Sequence, residues 1–106
     1  MVKQGEIWLI ALDPTVGSEI RKTRPCVIIS PPEIHDKLRT AIAAPMTTKG
    51  HPAPFRPEIT FKSKQGRVVL DQLRAVDKKR LIRKLGKCNP KTLQTCLETL
   101  QNMFAP

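Results

Sequence analysis

A proline set one residue inside the mouth of a β-branched run constrains this chain more than any other feature. The run is Thr23-Arg24-Pro25-Cys26-Val27-Ile28-Ile29-Ser30. Val27-Ile28-Ile29 has the composition of a buried strand. Pro25 fixes its own φ and pushes the residue before it towards extended geometry. The guanidinium of Arg24 is therefore held at the edge of a rigid strand and not on a mobile helix surface. The preceding loop, Asp13-Pro14-Thr15-Val16-Gly17-Ser18-Glu19, combines turn residues with the Glu19 carboxylate, and Arg21 and Lys22 follow it. This arrangement reads as a lid beside a fixed positive charge.

The remaining segments alternate short apolar runs with stop signals. Ile7 to Leu12 is an uninterrupted apolar run ended by Asp13-Pro14, which predicts a first strand buried on both faces with Trp8 in the core. Pro31-Pro32 stops the Arg24–Ser30 strand, and a polar turn with His35 and Asp36 follows. Thr40 to Ala44 reads as a third strand running into Pro45-Met46-Thr47-Thr48-Lys49-Gly50. Residues 51–57 form a proline-rich loop, Glu58 to Phe61 a short exposed strand, Lys62 to Gly66 a turn, and Arg67 to Leu70 another strand. Asp77 is placed to cap a single helical turn over Lys78-Lys79-Arg80. The period then changes. Asn89 followed by Pro90 is a cap and first-turn signature, and Leu93, Cys96, Leu97, Leu100, Met103 and Phe104 recur at spacings of three and four. That predicts one amphipathic helix over roughly residues 90–104. Short strands plus one closing helix suggest a small, mainly β, curled sheet or barrel of α+β class, with 1–106 as a single domain.

Net charge is +10 over 106 residues, which points to an anionic partner, with nucleic acid first. No segment approaches the roughly 18 apolar residues of a membrane-spanning helix. The N-terminus lacks the apolar core of a signal peptide, so a cytoplasmic protein is expected. The three cysteines, Cys26, Cys88 and Cys96, show no C-x-x-C spacing and read as reduced, buried thiols. His35 and His51 stand alone, with no His, Cys or carboxylate cluster at metal-ligand spacing, so no metal and no cofactor are expected. Lys78, Lys79, Arg80, Arg83, Lys84 and Lys87 place six cations in ten residues with no acid between Asp77 and Glu98. Such a run is either a solvated face or a phosphate-binding one. With one Trp, three Phe and no Tyr, phosphate contacts outweigh base stacking in such binding, which should weaken steeply with salt.

Arg24 with Thr47 and Thr48 is the sharper combination. Taken alone, a Thr-Thr pair at a strand end is an ordinary turn or cap, and an Arg before Pro an ordinary surface cation. The segments Gly5-Glu6-Ile7-Trp8, Asp13 to Glu19 and Arg24 to Ser30 together resemble the opening of the MazF/PemK family of toxins from type II toxin–antitoxin modules. Pro45-Met46-Thr47-Thr48 and Val69-Leu70-Asp71-Gln72-Leu73-Arg74-Ala75-Val76-Asp77 resemble that family's later motifs, in the same order along nearly the whole chain. The 49–66 segment, with His51 and three prolines, departs from the pattern.

The resemblance implies a plasmid-maintenance-toxin fold shared with CcdB-like proteins, an SH3-like small barrel with helices, working as a homodimer. It implies a metal-independent endoribonuclease acting on single-stranded RNA, neutralised by a cognate antitoxin carrying an acidic peptide. Operator DNA would be contacted only through the antitoxin complex. By position, Arg24 and Thr47 match the family's catalytic pair. Glu19, Thr48 and His51 are accessory candidates, and Arg21, Lys22, Lys49, Gln72 and Arg74 are RNA-binding candidates. The chemistry is physically coherent. RNA supplies its own 2′-OH nucleophile, a guanidinium fork fits phosphate oxygens, and a threonine hydroxyl can donate to a non-bridging oxygen. The general base is open between Glu19, His51 and solvent. Two other classes stand beside this one: a CcdB-like toxin that binds DNA gyrase through an apolar C-terminal end, and a non-catalytic nucleic-acid-binding module resting on the 78–87 run.

Overall fold

The computed structural model describes residues 2–106. Strands β1 (Glu6–Ala11), β2 (Thr23–Ile28), β3 (Thr40–Thr47), β4 (Glu58–Phe61), β5 (Lys64–Val68), β6 (Arg74–Asp77) and β7 (Leu81–Lys87) form one sheet. Its order is β4-β5-β3-β2-β1-β7, with β6 also paired to β3. A short helix α1 (Pro32–His35) follows β2, and α2 (Pro90–Phe104) closes the chain. This is the mainly β small barrel with a C-terminal helix that the sequence suggests. Among the described residues, no helix is long and apolar enough to cross a membrane.

The uninterrupted apolar runs are explained by burial on both faces of the sheet. Ile7, Val27, Ile29 and Ala44 pack towards α2, where Cys96 is fully buried and Leu93, Leu97 and Leu100 complete the layer. Ile10, Leu12, Cys26, Ile28, Ala43 and Val76 form the layer on the opposite face, with Trp8, Ile20 and Leu81 packed against it. β1 is less enclosed than expected, since Trp8 and Leu9 are half-buried. The three cysteines are free and buried. Burial pushes the thiol of Cys26 up to about 12 and that of Cys96 to about 11, the latter helped by neighbouring Cys88.

The helix begins where Asn89 predicts: its Oδ1 accepts from the Thr92 N–H at 2.8 Å, and Pro90 occupies the first turn. The apolar stripe outlasts the core, leaving Met103 and Phe104 exposed at the helix end. Asp77 caps the 3-10 turn over Lys78–Arg80, accepting from Lys79 N–H at 2.8 Å.

Two sequence readings are corrected. The expected turn over residues 62–66 is tighter. Only Lys62 and Ser63 form it, both with positive φ (51° and 64°), so β5 already starts at Lys64. A two-residue loop with both φ positive matches the twist of antiparallel strands. The basic run is an element as well as a charged face, because β7 pairs antiparallel with β1 over Glu6–Ile10. Its charge hid its apolar members, Leu81 and Leu85, which pack into opposite core layers.

Several of these cations are structural. Lys84 Nζ lies 2.8 Å from Glu6 Oε2. Arg80 donates to the carbonyls of Ala11 and Asp13, and Lys78 to that of His35. The acid missing from the local sequence is supplied by β1. Glu6 is 5% exposed and accepts from Lys84, the Trp8 indole N–H and the Lys3 N–H. Burial pushes its carboxyl up, but those hydrogen bonds outweigh it and hold the group below the ordinary carboxylate value.

Candidate active site

The site originates in the way β2 and β3 part company. Their ladder runs Ile28↔Ala43, Val27↔Ala44, Cys26↔Pro45 and stops. The next position on β2 is Pro25, which has no N–H to donate, and Pro45 lacks one on the other strand. Beyond that point β2 continues against β1 alone, with Pro25↔Leu9, Arg24↔Ile10 and Thr23↔Ala11. β3 turns to β5 instead, with Met46↔Val68 and Thr47↔Arg67. Continuing the broken β2–β3 register would set Pro25 opposite Met46 and Arg24 opposite Thr47. The two residues occupy facing positions on strands that have just separated.

A cleft of about 200 Å³ fills the gap, lined by Arg24, Pro25, Met46, Thr47, Thr48, Phe61, Lys64 and Gly66. Arg24 is exposed. Its Nε donates to the Arg21 carbonyl at 3.2 Å, which orients the side chain, and among the described residues its terminal nitrogens have no hydrogen-bond partner. Among the described residues no carboxylate lies within ion-pairing distance of it. Thr47 is half-buried, and its Oγ1 accepts from the Lys49 N–H at 3.1 Å, leaving its own proton to donate. The cleft therefore presents the Arg24 guanidinium and the Thr47 hydroxyl, with Thr48 and the Lys64 ammonium beside them, above an apolar floor of Pro25, Met46 and Phe61.

Gly66 sets the far wall. A Cβ there would meet the Thr47 carbonyl oxygen at 2.6 Å, so only glycine allows β5 this close to the strand carrying Thr47. Phe61 is fixed from behind, where a Cβ on Gly86 would come within 3.0 Å of its ring. Phe61, Lys64 and Gly66 lay outside the sequence-derived candidates. Once the 62–66 segment is seen as a two-residue hairpin turn, their place beside Thr47 follows from the Thr47↔Arg67 pairing.

The other candidates divide. Thr48 lines the cleft. Lys49 lies on its far side, in a second cleft of about 210 Å³ formed with Thr47, Thr48, Gly50, Glu58, Gln65, Gly66 and Arg67. Arg21 and Lys22 are exposed at the end of the loop before β2. His51 is exposed in the loop after β3 and lines neither cleft.

Glu19 lies in a third cleft with Gln72, Leu73 and Arg74, and its carboxylate accepts from the Val16 N–H at 2.5 Å. Gln72 and Arg74 brace the same loop. Gln72 Oε1 accepts from Ile20 N–H at 2.6 Å, and Arg74 donates to the Leu12 carbonyl at 3.1 Å. Arg56 clamps Asp71 with paired bonds of 2.9 and 2.8 Å, tying the proline-rich loop to this region. That pair holds the Asp71 carboxyl below its ordinary value against the opposing effect of burial. Among the described residues, no three His, Cys, Asp or Glu side chains cluster as a metal site.

Comparison with known proteins identifies the family. Residues 3–104 match the family model described as PemK-like, MazF-like toxin of type II toxin–antitoxin system. The chain is 30% identical to the endoribonuclease toxin MazF of Escherichia coli K12 over 91 residues, covering 85% of this chain and 82% of that protein. It is 40% identical to the endoribonuclease PemK of Escherichia coli over 50 residues, a match spanning 47% of this chain and 38% of that protein.

Among solved structures, MazF of Deinococcus radiodurans superposes with a TM-score of 0.85 at 21% identity, covering 96% of this chain and 94% of that one. An endoribonuclease of a mycobacterial species, in complex with its cognate antitoxin, superposes with a TM-score of 0.83 at 18% identity, covering 100% and 98%. The structural likeness establishes the fold, and the sequence match establishes the kinship: the chain belongs to the PemK-like, MazF-like family of toxins from type II toxin–antitoxin systems.

Proposed function

We propose that this endoribonuclease-family toxin cuts single-stranded RNA without a metal ion, using Arg24 and Thr47 to hold and stabilise one scissile phosphate. The observation that carries the reading is the cleft at the β2–β3 split, where both residues line one wall-to-wall gap. In the reaction the 2′-oxygen bonds to phosphorus and the P–O5′ bond breaks in line with it. The 2′-proton passes to solvent, and solvent returns a proton to the departing 5′-oxygen. The products are a 2′,3′-cyclic phosphate and a 5′-hydroxyl.

Arg24 places N–H donors on a non-bridging oxygen and on the leaving oxygen as negative charge builds there, and the Thr47 hydroxyl donates to the second non-bridging oxygen. Glu19 is engaged within its own loop and His51 stands off the cleft, so the protein's contribution is positioning and charge stabilisation, with solvent as the base. Thr48, at the rim, is an auxiliary donor. Arg21, Lys22 and Lys49 are exposed cations for the phosphates on either side. Gln72 and Arg74 act through the loop that they brace.

The molecule is read as a cytoplasmic homodimer. Its net charge of +10 fits an RNA substrate and an acidic segment of a cognate antitoxin competing for the same face. The test is incubation of the purified chain with mixed single-stranded RNA in EDTA, beside Arg24→Ala and Thr47→Ala. Each substitution is expected to lower cleavage by about 100-fold or more, the scale on which a transition-state donor is missed, while the far-UV and thermal melting profiles stay unchanged. Cleavage that requires added Mg²⁺, or that survives both substitutions, would remove the reading.

A further inference from the structure

We infer that the polar cleft behind Thr47 is a base-reading subsite for a nucleotide flanking the cut, and that it selects a base carrying an exocyclic amino group. The inference rests on the nuclease reading above and extends it to substrate choice. RNA held at Arg24 and Thr47 must leave the phosphate in two directions. Two clefts meet there, sharing Thr47, Thr48 and Gly66 as their common ridge. Their chemistry differs. On the Arg24 side the floor is Pro25, Met46 and Phe61, which offers no hydrogen-bonding edge. On the other side the lining is Lys49, Glu58, Gln65 and Arg67.

Glu58, Gln65 and Arg67 form an ordered set. Glu58 and Arg67 are direct cross-strand partners. Arg67 donates to Glu58 Oε1 at 3.3 Å and is itself anchored on the Arg56 carbonyl at 3.0 Å. Gln65 Nε2 donates to Glu58 Oε2 at 3.2 Å. After those bonds Gln65 keeps one amide N–H and its carbonyl oxygen, a side-by-side donor and acceptor, while the Glu58 carboxylate keeps unused lone pairs.

A glutamine amide pairs with any edge that offers a donor beside an acceptor, so discrimination falls to the Glu58 carboxylate that Gln65 holds in place, which accepts from amino groups. Adenine, cytosine and guanine supply an exocyclic amino group. Uracil supplies one N–H flanked by two carbonyl oxygens that the carboxylate repels. Lys49, exposed at the mouth, is placed for the adjoining phosphate and carries no base preference.

The experiment maps cut sites across a long transcript for the wild-type chain, Gln65→Ala, Glu58→Gln and Lys49→Ala, all in EDTA. Gln65, Glu58 and Lys49 are exposed, so these variants retain the fold. The expected wild-type word lacks uracil at one position flanking the cut. Gln65→Ala and Glu58→Gln are expected to relax that one position by roughly 10-fold or more in relative rate, leaving the other positions unchanged. Lys49→Ala is expected to slow all sites evenly. Cutting by the wild type with uracil accepted at every flanking position overturns the inference, as does an unaltered word in both Gln65→Ala and Glu58→Gln. A wild-type chain that cuts no RNA in EDTA overturns the nuclease reading itself, and the subsite with it.

Discussion

At the scale of single residues, Gly66 shows how one missing side chain can set another residue's position. With a Cβ only 2.6 Å from the Thr47 carbonyl, alanine at this position must push β3 and β5 apart. The displacement falls on the peptide that aims the Thr47 hydroxyl. A misplacement near 1 Å at a reacting centre costs on the order of 100-fold in rate. Gly66→Ala is therefore expected to lower kcat by about 10- to 100-fold with a smaller change in KM. The decisive comparison is the double variant. In a Thr47→Ala background, Gly66→Ala should cost little more, because the two act through one hydroxyl. Equal losses in both backgrounds would assign Gly66 a structural role unconnected with Thr47. Cys26 gives the contrasting case: although it sits beside Pro25, its thiol is wholly buried and pushed up to about 12, so it stays unreactive.

At the scale of elements, the β4–β5 hairpin carries Phe61, Lys64, Gln65 and Gly66 into the two clefts through a turn of non-glycine residues. Lys62 and Ser63 both hold positive φ, a conformation that costs L-residues roughly 1–2 kcal/mol each. Replacing the pair with Asn-Gly, the preferred sequence for such a turn, is expected to stabilise the chain by about 1 kcal/mol and raise Tm by about 4 °C. Cleavage should be unchanged, since neither turn residue lines a cleft. A lower Tm would show that Lys62, whose ammonium lies 5.5 Å from the Phe61 ring centroid, contributes more than its backbone costs.

The same hairpin marks where sequence reasoning stops. β1, β2, the Asn89 cap and α2 were legible because apolar period and proline position act locally. The turn was misread because Lys-Ser has none of the usual signals, and β7 was hidden because only two of its residues point into core. Arg24 and Thr47 were legible as candidates. Their facing positions depend on a strand register that no local pattern encodes.

At the scale of the whole molecule, the excess of positive charge makes each carboxylate that fixes the fold a point of acid sensitivity. Glu6 joins the first and last strands of the sheet's β1–β7 edge through Lys84, and Asp71 joins the proline-rich loop to the turn after β5 through Arg56. Both carboxyls are held below their ordinary values in the folded chain. A folded-state value below the unfolded one means that the unfolded chain binds protons more readily. The stabilisation is then fully present above the ordinary carboxylate value, near 4.5 for Glu6, and is lost as pH falls through the lower folded-state value.

Glu6 is the more enclosed of the two, and its replacement by glutamine removes the charge that Lys84 and the Trp8 indole address. Glu6→Gln is expected to lower stability at pH 7 by about 1–2 kcal/mol, the scale of a charged hydrogen bond. The difference from wild type should shrink steadily below pH 4.5, while Asp71 keeps part of the acid sensitivity in both chains. Urea denaturation midpoints measured between pH 7 and pH 3 provide the check. Parallel curves for the two chains across that range would show that Glu6 stabilises the edge by packing alone. Convergence at low pH would identify the Glu6–Lys84 contact as the charge that keeps the basic last strand on the sheet.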